Sequence, residues 1–152
     1  ELRIVIFNKK MSQRKEQQQQ KLNKETFPEK KVREELIKEV GKNLDSLIGA
    51  GIITRYHMKY DFCIDYATIR KLRETDLTVS KKTLEKMMYA MAYYLDCHRR
   101  KIEAEEDGIE KKQKLDAIPD LENKLVEIYG HAAQTALDLA KDRIDLRQIV
   151  KK

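Results

Sequence analysis

The longest uninterrupted helical pattern in the chain lies at Ser80–Ile102, and it constrains the fold more than any other segment. The segment contains neither Gly nor Pro and is rich in good helix formers. Apolar or amphipathic side chains recur every three or four residues along one side of a helix, at Leu84, Met88, Met91, Leu95, His98 and Ile102. The pattern predicts a long core helix that Ser80 caps at its start.

Composition favours a mainly α fold over a sandwich or barrel. The 152 residues include only five Gly and two Pro, which turn-rich β folds use heavily. Two cysteines, Cys63 and Cys97, do not make a disulfide framework, so we expect reduced thiols. No apolar run approaches the roughly 20 residues that a membrane span needs. We therefore predict a cytoplasmic protein with no membrane partner.

Two further amphipathic patterns flank the long helix. The first predicts a helix over about residues 29–48 that ends at Gly49–Gly51, and Gly41 either interrupts it or divides it in two. The second runs from Pro119 to Ile144 and is rich in alanine. It predicts a helix that packs antiparallel on Ser80–Ile102, forming a long C-terminal helical hairpin.

A small β-hairpin is predicted between these helical segments. Ile52–Tyr60 and Phe62–Tyr66 are rich in β-branched and aromatic residues, which favours two short strands hinged near Lys59–Asp61. The predicted organisation is therefore a strand and a basic, Gln-rich arm or linker at 1–28, a helix plus β-hairpin at 29–79, and the helical hairpin at 80–152.

The charge of the chain favours polyanionic partners. Lys and Arg number 32 against 26 Asp and Glu, a net charge of +6, and residues 1–35 hold ten basic and six acidic groups. A basic excess suits nucleic acid first and an anionic membrane second. Ordinary solubility explains the same excess, so charge alone leaves both interpretations open.

One segment resembles a known family. In Val40–Tyr66, the residues Leu44, Leu47, Gly51, Ile52 and Ile53 are similar to the end of the recognition helix in winged helix-turn-helix domains. The resemblance implies that the predicted hairpin is the wing, with Tyr56 and Tyr66 on its strands, although the chain before Gly51 is short for the upstream helices of that family. It also implies nucleic-acid binding, with DNA favoured, by a regulator or a plasmid or phage replication factor.

Basic residues interleaved with tyrosines suit contacts to phosphates and bases. A second helix start, Val79–Leu84, adds two lysines in a first turn where they could meet a phosphate, although a simple capped helix has the same pattern. The candidate nucleic-acid-binding residues are Lys9, Lys10, Arg14, Lys15, Arg55, Tyr56, Arg70, Lys71, Arg73, Lys81, Lys82, Arg99 and Arg100.

Met and Tyr residues cover more than one face of the long helix. Either this helix is central in the fold, or one face meets another subunit or partner. The candidate interface residues are Met87, Met91, Tyr94 and Leu95. They support an alternative function, a structural or adaptor protein that assembles with itself or with a larger complex, as in phage assembly. A homo-oligomer or larger protein complex is predicted in either case.

No motif for catalysis or metal binding is present in the sequence. Cys97 and His98 are adjacent and point about 100° apart on a helix, so they cannot easily ligate one ion together. No Gly-rich phosphate loop and no nucleophile motif occurs. We predict no catalytic residue, no metal and no cofactor, and a protein that is not an enzyme. His98 lies on the apolar line, so we expect a buried histidine that makes the packing sensitive to acid.

Overall fold

The computed structural model describes residues 32–150, and this part of the chain forms seven helices. The prediction of a mainly helical protein is therefore right for these residues. One hydrophobic core, from Leu36 to Ile149, includes side chains from every one of these helices. The helices are α1 (Arg33–Gly49), α2 (Arg55–Phe62), α3 (Tyr66–Arg73), α4 (Lys81–Glu103), α5 (Ile109–Tyr129), α6 (His131–Lys141) and α7 (Leu146–Val150).

Helix α4 occupies the centre of the fold, at the position predicted for it. It begins after Ser80, whose Oγ accepts a hydrogen bond of 3.1 Å from the backbone N–H of Thr83. Six successive residues, Met87–Ala92, are buried, which requires neighbours on every side of the helix. Helices α1, α2, α5, α6 and α7 supply those neighbours.

The second arm of the predicted hairpin is two helices rather than one. Helix α5 begins at Ile109, well before Pro119, which lies inside it. The arm then breaks at Gly130, whose φ of +72° lies in the left-handed region that glycine adopts without strain. Both helices still pack on α4, and α6 does so with four buried small residues, Ala132, Ala133, Ala136 and Ala140.

The predicted β-hairpin at Ile52–Tyr66 is wrong, because this segment forms α2 and the start of α3 and no strand occurs within residues 32–150. Both short helices are capped. Thr54 Oγ1 accepts from the backbone N–H of His57 at 3.1 Å, and Asp65 Oδ1 accepts from that of Thr68 at 2.8 Å. The two-stranded wing of the winged-helix family therefore has no counterpart at these residues.

Gly41 neither interrupts nor divides α1, which is continuous from Arg33 to Gly49. It is instead the point where α3 comes closest. A Cβ added at Gly41 would lie 2.4 Å from the carbonyl oxygen of Leu72 in α3, far inside van der Waals contact. The absence of a side chain at Gly41 therefore lets the backbones of the two helices meet.

The predicted arm and terminal strand at 1–28 lie outside the described residues. The other two predicted parts both contribute buried side chains to the single core.

We expect Gly41→Ala to lower the free energy of unfolding by about 1–3 kcal/mol, because the added methyl group forces α1 and α3 apart. Gly49→Ala is the matched control, since a Cβ there meets no atom of residues 32–150 within 4 Å. This control should be neutral or stabilising, by up to about 1 kcal/mol of helix propensity. Urea denaturation of the two variants and the parent protein measures both changes. Equal effects at the two glycines would contradict the close approach.

Two buried tyrosine hydroxyls offer a second test of the core. Tyr129 Oη donates to the carbonyl oxygen of Leu84 at 2.7 Å. Tyr89 Oη is buried, and no group of residues 32–150 forms a hydrogen bond with it. We expect Tyr129→Phe to lower the free energy of unfolding by about 0.5–1.5 kcal/mol. Tyr89→Phe should leave it unchanged or raise it, because it removes a polar atom that folding desolvates without compensation. Chemical denaturation under one buffer condition compares them, and a larger loss at Tyr89 would contradict this assignment.

Candidate nucleic-acid interface

The core holds α2 so that one of its faces points outward. Phe62 packs edge-on against Tyr93 and Tyr94 of α4, with ring centroids 5.5 and 5.8 Å apart. Tyr94 Oη also donates to Asp61 Oδ2 at 2.7 Å. Met58, one turn before Phe62, is fully buried. With this face turned inward, the opposite face of α2 is exposed, and it carries Arg55, Tyr56, Lys59 and Tyr60.

The structure brings three of the predicted arginines together. Arg55 of α2 and Arg70 and Arg73 of α3 line one open cleft of about 350 Å³, with Tyr66 and Glu74. In α3 the contributing residues are spaced by four and then three positions, which places them on one side of the helix. From the described part of the chain, the cleft therefore presents three guanidinium groups and a single carboxylate.

The three arginines differ in their existing partners. Arg73 Nε lies 2.5 Å from Asp45 Oδ1 of α1, an ion pair that also ties α3 to α1. Arg55 and Arg70 form no ion pair with a carboxylate in residues 32–150. Arg70 stands in the last turn of α3, where the helix dipole favours a cation, but Arg55 stands in the first turn of α2, where it does not. Helix stability therefore does not explain Arg55.

Three tyrosines on the same two helices are exposed. Relative exposures are 58% for Tyr56, 61% for Tyr60 and 46% for Tyr66. The rings of Tyr56 and Tyr60 neighbour each other, with centroids 4.5 Å apart, and Lys59 Nζ lies 5.5 Å from the centroid of Tyr66. We call the whole set the basic–aromatic surface: Arg55, Tyr56, Lys59, Tyr60, Tyr66, Arg70 and Arg73.

From the sequence, Lys59 has no predicted binding role, and Tyr60 and Tyr66 are only rings interleaved with the basic residues, on the strands of the predicted hairpin. In the predicted strands of Ile52–Tyr66, Lys59 lies at the hinge. Its position four residues after Arg55 makes these two side chains neighbours on a helix, but not along a strand. The signal that could have found them is capping, since Thr54 and Asp65 each precede a short run with helical spacing.

Other candidate residues are not among those that line the cleft. Lys71 is exposed on α3, and its charge helps to lower the pKa of Asp65, after the hydrogen bonds from Thr68. Lys81 and Lys82 are exposed in the first turn of α4, outside the cleft. The four candidates of the arm, Lys9, Lys10, Arg14 and Lys15, lie outside the described residues.

Arg99 and Arg100 are engaged within the fold. Both pair with Asp96, and Arg100 Nε lies 2.9 Å from Asp96 Oδ2. Arg100 also donates to the carbonyl oxygen of Ala140 in α6 at 3.2 Å. Burial raises the pKa of Asp96, and the two arginines oppose that shift. These contacts give the pair a structural role at the junction of α4 and α6.

The candidate interface residues of α4 are all buried in the core: Met87, Met91, Tyr94 and Leu95. Met91 Sδ also accepts from Asn43 Nδ2 of α1 at 3.3 Å. Of the two interpretations of the Met and Tyr residues, the central helix is the one found. These four side chains offer no exposed face to another subunit.

A second cleft, of about 280 Å³, opens between α2 and α4 and includes His57, Cys97 and His98. Within residues 32–150 no three His, Cys, Asp or Glu side chains are grouped so that they could hold a metal ion. Burial is the largest cause that raises the pKa of the Cys97 thiol. Both thiols are free, Cys63 at the surface and Cys97 half-buried.

None of the helices in residues 32–150 is long and apolar enough to cross a membrane. Comparison with protein-family models, with curated proteins and with solved structures gave no significant match to the chain.

His98, expected to be buried, is only half-buried, and it leads to a test of acid sensitivity. Burial, and then the charges of Lys101 and Lys114, lower its pKa, while Glu105 opposes the shift. Below about pH 6.5 the unfolded chain therefore binds this proton more readily than the folded chain, so stability falls as the pH falls. We expect His98→Gln to weaken that fall between pH 7 and pH 5, by at most about 1.4 kcal/mol per pH unit.

Urea denaturation at several pH values measures the effect, with His131→Gln, at an exposed histidine of α6, as the control. Identical pH profiles for the parent protein and His98→Gln would contradict the prediction.

Proposed function

We propose that this protein binds nucleic acid through the basic–aromatic surface of α2 and α3. The observation that carries the proposal is the convergence of Arg55, Arg70 and Arg73 on one open cleft. A guanidinium group binds a phosphate through two parallel hydrogen bonds, and arginine is well suited to this contact. Arg55 and Arg70 have both donors and charge available, because neither pairs with a carboxylate in residues 32–150.

The shape of the surface suits a polymer. The cleft is open to solvent and continues onto the exposed face of α2, where Lys59 adds a further cation. A chain of phosphates that crosses several cations releases counterions from each one, which gives such surfaces their affinity. The net charge of +6 adds long-range attraction for any polyanion.

The proposal does not depend on a wing. A preference for DNA, a role in regulation or replication, and the formation of an oligomer stay predictions from the sequence. The adaptor alternative also stays a prediction, although the four candidate interface residues of α4 on which it was based are buried in the core.

Removing one phosphate contact should weaken binding to every sequence and lower the salt dependence of affinity. We expect Arg55→Ala and Arg70→Ala each to reduce the slope of log affinity against log salt by about 1. Fluorescence anisotropy with labelled oligonucleotides over a series of salt concentrations measures this slope. Lys112→Ala is the control, an exposed cation on α5 away from the cleft.

Two further measurements distinguish a lost phosphate contact from a loss of affinity caused by unfolding. Arg55→Ala should not lower the free energy of unfolding, because it removes a cation from the first turn of a helix. Glu74→Gln should tighten binding, because Glu74 is the only carboxylate that residues 32–150 contribute to the lining of the cleft. No binding to DNA or RNA at low salt would refute the proposal, as would equal losses at Arg70 and Lys112.

A further inference from the structure

We infer that Tyr56, Tyr60 and Tyr66 stack on unpaired bases, so that the basic–aromatic surface binds single-stranded nucleic acid in preference to duplex. The inference rests on the proposed function and names the substrate class of the same surface. It is carried by a separate observation, the exposure of three aromatic rings beside the arginine cleft.

The exposure of these rings is confined to one place. Within residues 32–150 these three are the exposed Tyr and Phe side chains, while Tyr93 is half-buried and Phe62, Tyr89, Tyr94 and Tyr129 are buried. Exposing a large ring forgoes the stabilisation that its burial would give, roughly 1.5–3 kcal/mol for a side chain of this size. In the described core, Met58 and Phe62 on the inner face anchor α2, so the packing of this helix does not depend on aromatic residues on its outer face.

The rings alternate with cations across the surface. Tyr56 and Tyr60 are four residues apart and form one stripe along α2, and Arg55 and Lys59 form the next stripe, about 100° around the helix. Beyond them lies Tyr66, against Lys59 and at the edge of the arginine cleft. A nucleic-acid strand that crosses this surface meets tyrosine rings and cations in alternation. Its bases can stack on the rings while its phosphates contact the cations.

Duplex nucleic acid cannot use this arrangement fully. In a duplex the faces of the bases are covered by their neighbours, so a tyrosine ring on the protein surface can reach only the backbone or a groove edge. In a single strand the bases can turn outward and stack on exposed rings, largely independent of sequence. The three rings therefore favour an unpaired strand, whereas the arginines alone would accept either form.

The test compares matched substitutions at each ring. Tyr→Phe keeps the ring and removes the hydroxyl, whereas Tyr→Ala removes both. We expect Tyr56→Ala, Tyr60→Ala and Tyr66→Ala each to weaken binding to a labelled oligo(dT) or oligo(U) by roughly 5- to 150-fold, and the Phe variants to bind within about twofold of the parent protein. Ile109→Ala, at an exposed apolar residue of α5, is the control and should have no effect.

The choice of probe separates stacking from charge. A single strand of the same length with abasic sites keeps every phosphate and lacks the bases, and a duplex of that length hides them. The parent protein should bind oligo(dT) or oligo(U) more tightly than either probe, and the Ala variants should bind the abasic strand as the parent does. Oligo(dT) and oligo(U) show which sugar is preferred. Circular dichroism checks that each variant is folded.

Each contrary outcome has one meaning. Equal losses in the Phe and Ala variants would assign the hydroxyls to phosphate contacts and overturn stacking. Equal or tighter binding of duplex would overturn the single-strand preference and leave the proposed function standing. Failure of every probe, abasic strand included, would refute the proposed function itself.

Discussion

Burial of the middle of α4 is the constraint on which the rest of the structure depends. Six successive residues, Met87–Ala92, have no access to solvent beyond a few per cent, so helices must cover every side of this segment. Small side chains at Ala90 and Ala92 let neighbours approach, while the methionines adapt to irregular gaps between them. This enclosed segment therefore offers no exposed side chain to a partner, although the two ends of α4 carry exposed residues.

The two shortest helices before α4 depend on that core for their existence. Helices of eight residues such as α2 and α3 are unstable alone in water, so caps and tertiary contacts must hold them. Phe62 anchors α2 on α4, and the close approach at Gly41 seats α3 on α1. On α4, the Tyr93 ring that contacts Phe62 also packs against Arg147 of α7, whose guanidinium carbon lies 5.0 Å from the ring centroid. The cleft between α2 and α3 therefore takes its shape from contacts made on their opposite faces.

Part of the candidate site could be predicted from the sequence. Arg55, Arg70 and Arg73 were identified as basic residues interleaved with tyrosines, which requires only composition and order. Their meeting in one cleft could not be predicted, because it depends on the angle between α2 and α3. Arg100 shows the converse, since its basic character was evident but its pairing with Asp96 and with the backbone of α6 was not. The sequence shows which residues are charged. Whether such a residue is free to bind a ligand depends on its neighbours in the folded structure.

The sequence by itself determined the long helix, its Ser80 cap, the helical exit at Gly49–Gly51 and the mainly helical class, because periodicity and capping act within a few residues. Only the tertiary structure decided the state of Ile52–Tyr66. Its β-branched and aromatic residues favour a strand locally, by a β-propensity of at most about 1 kcal/mol. Met58 and Phe62 are four residues apart, and a helix lets both be buried in the core. The burial of these two side chains stabilises the helix by more than the strand propensity opposes it. The same burial turned the tyrosines of a predicted wing into exposed rings on a helix.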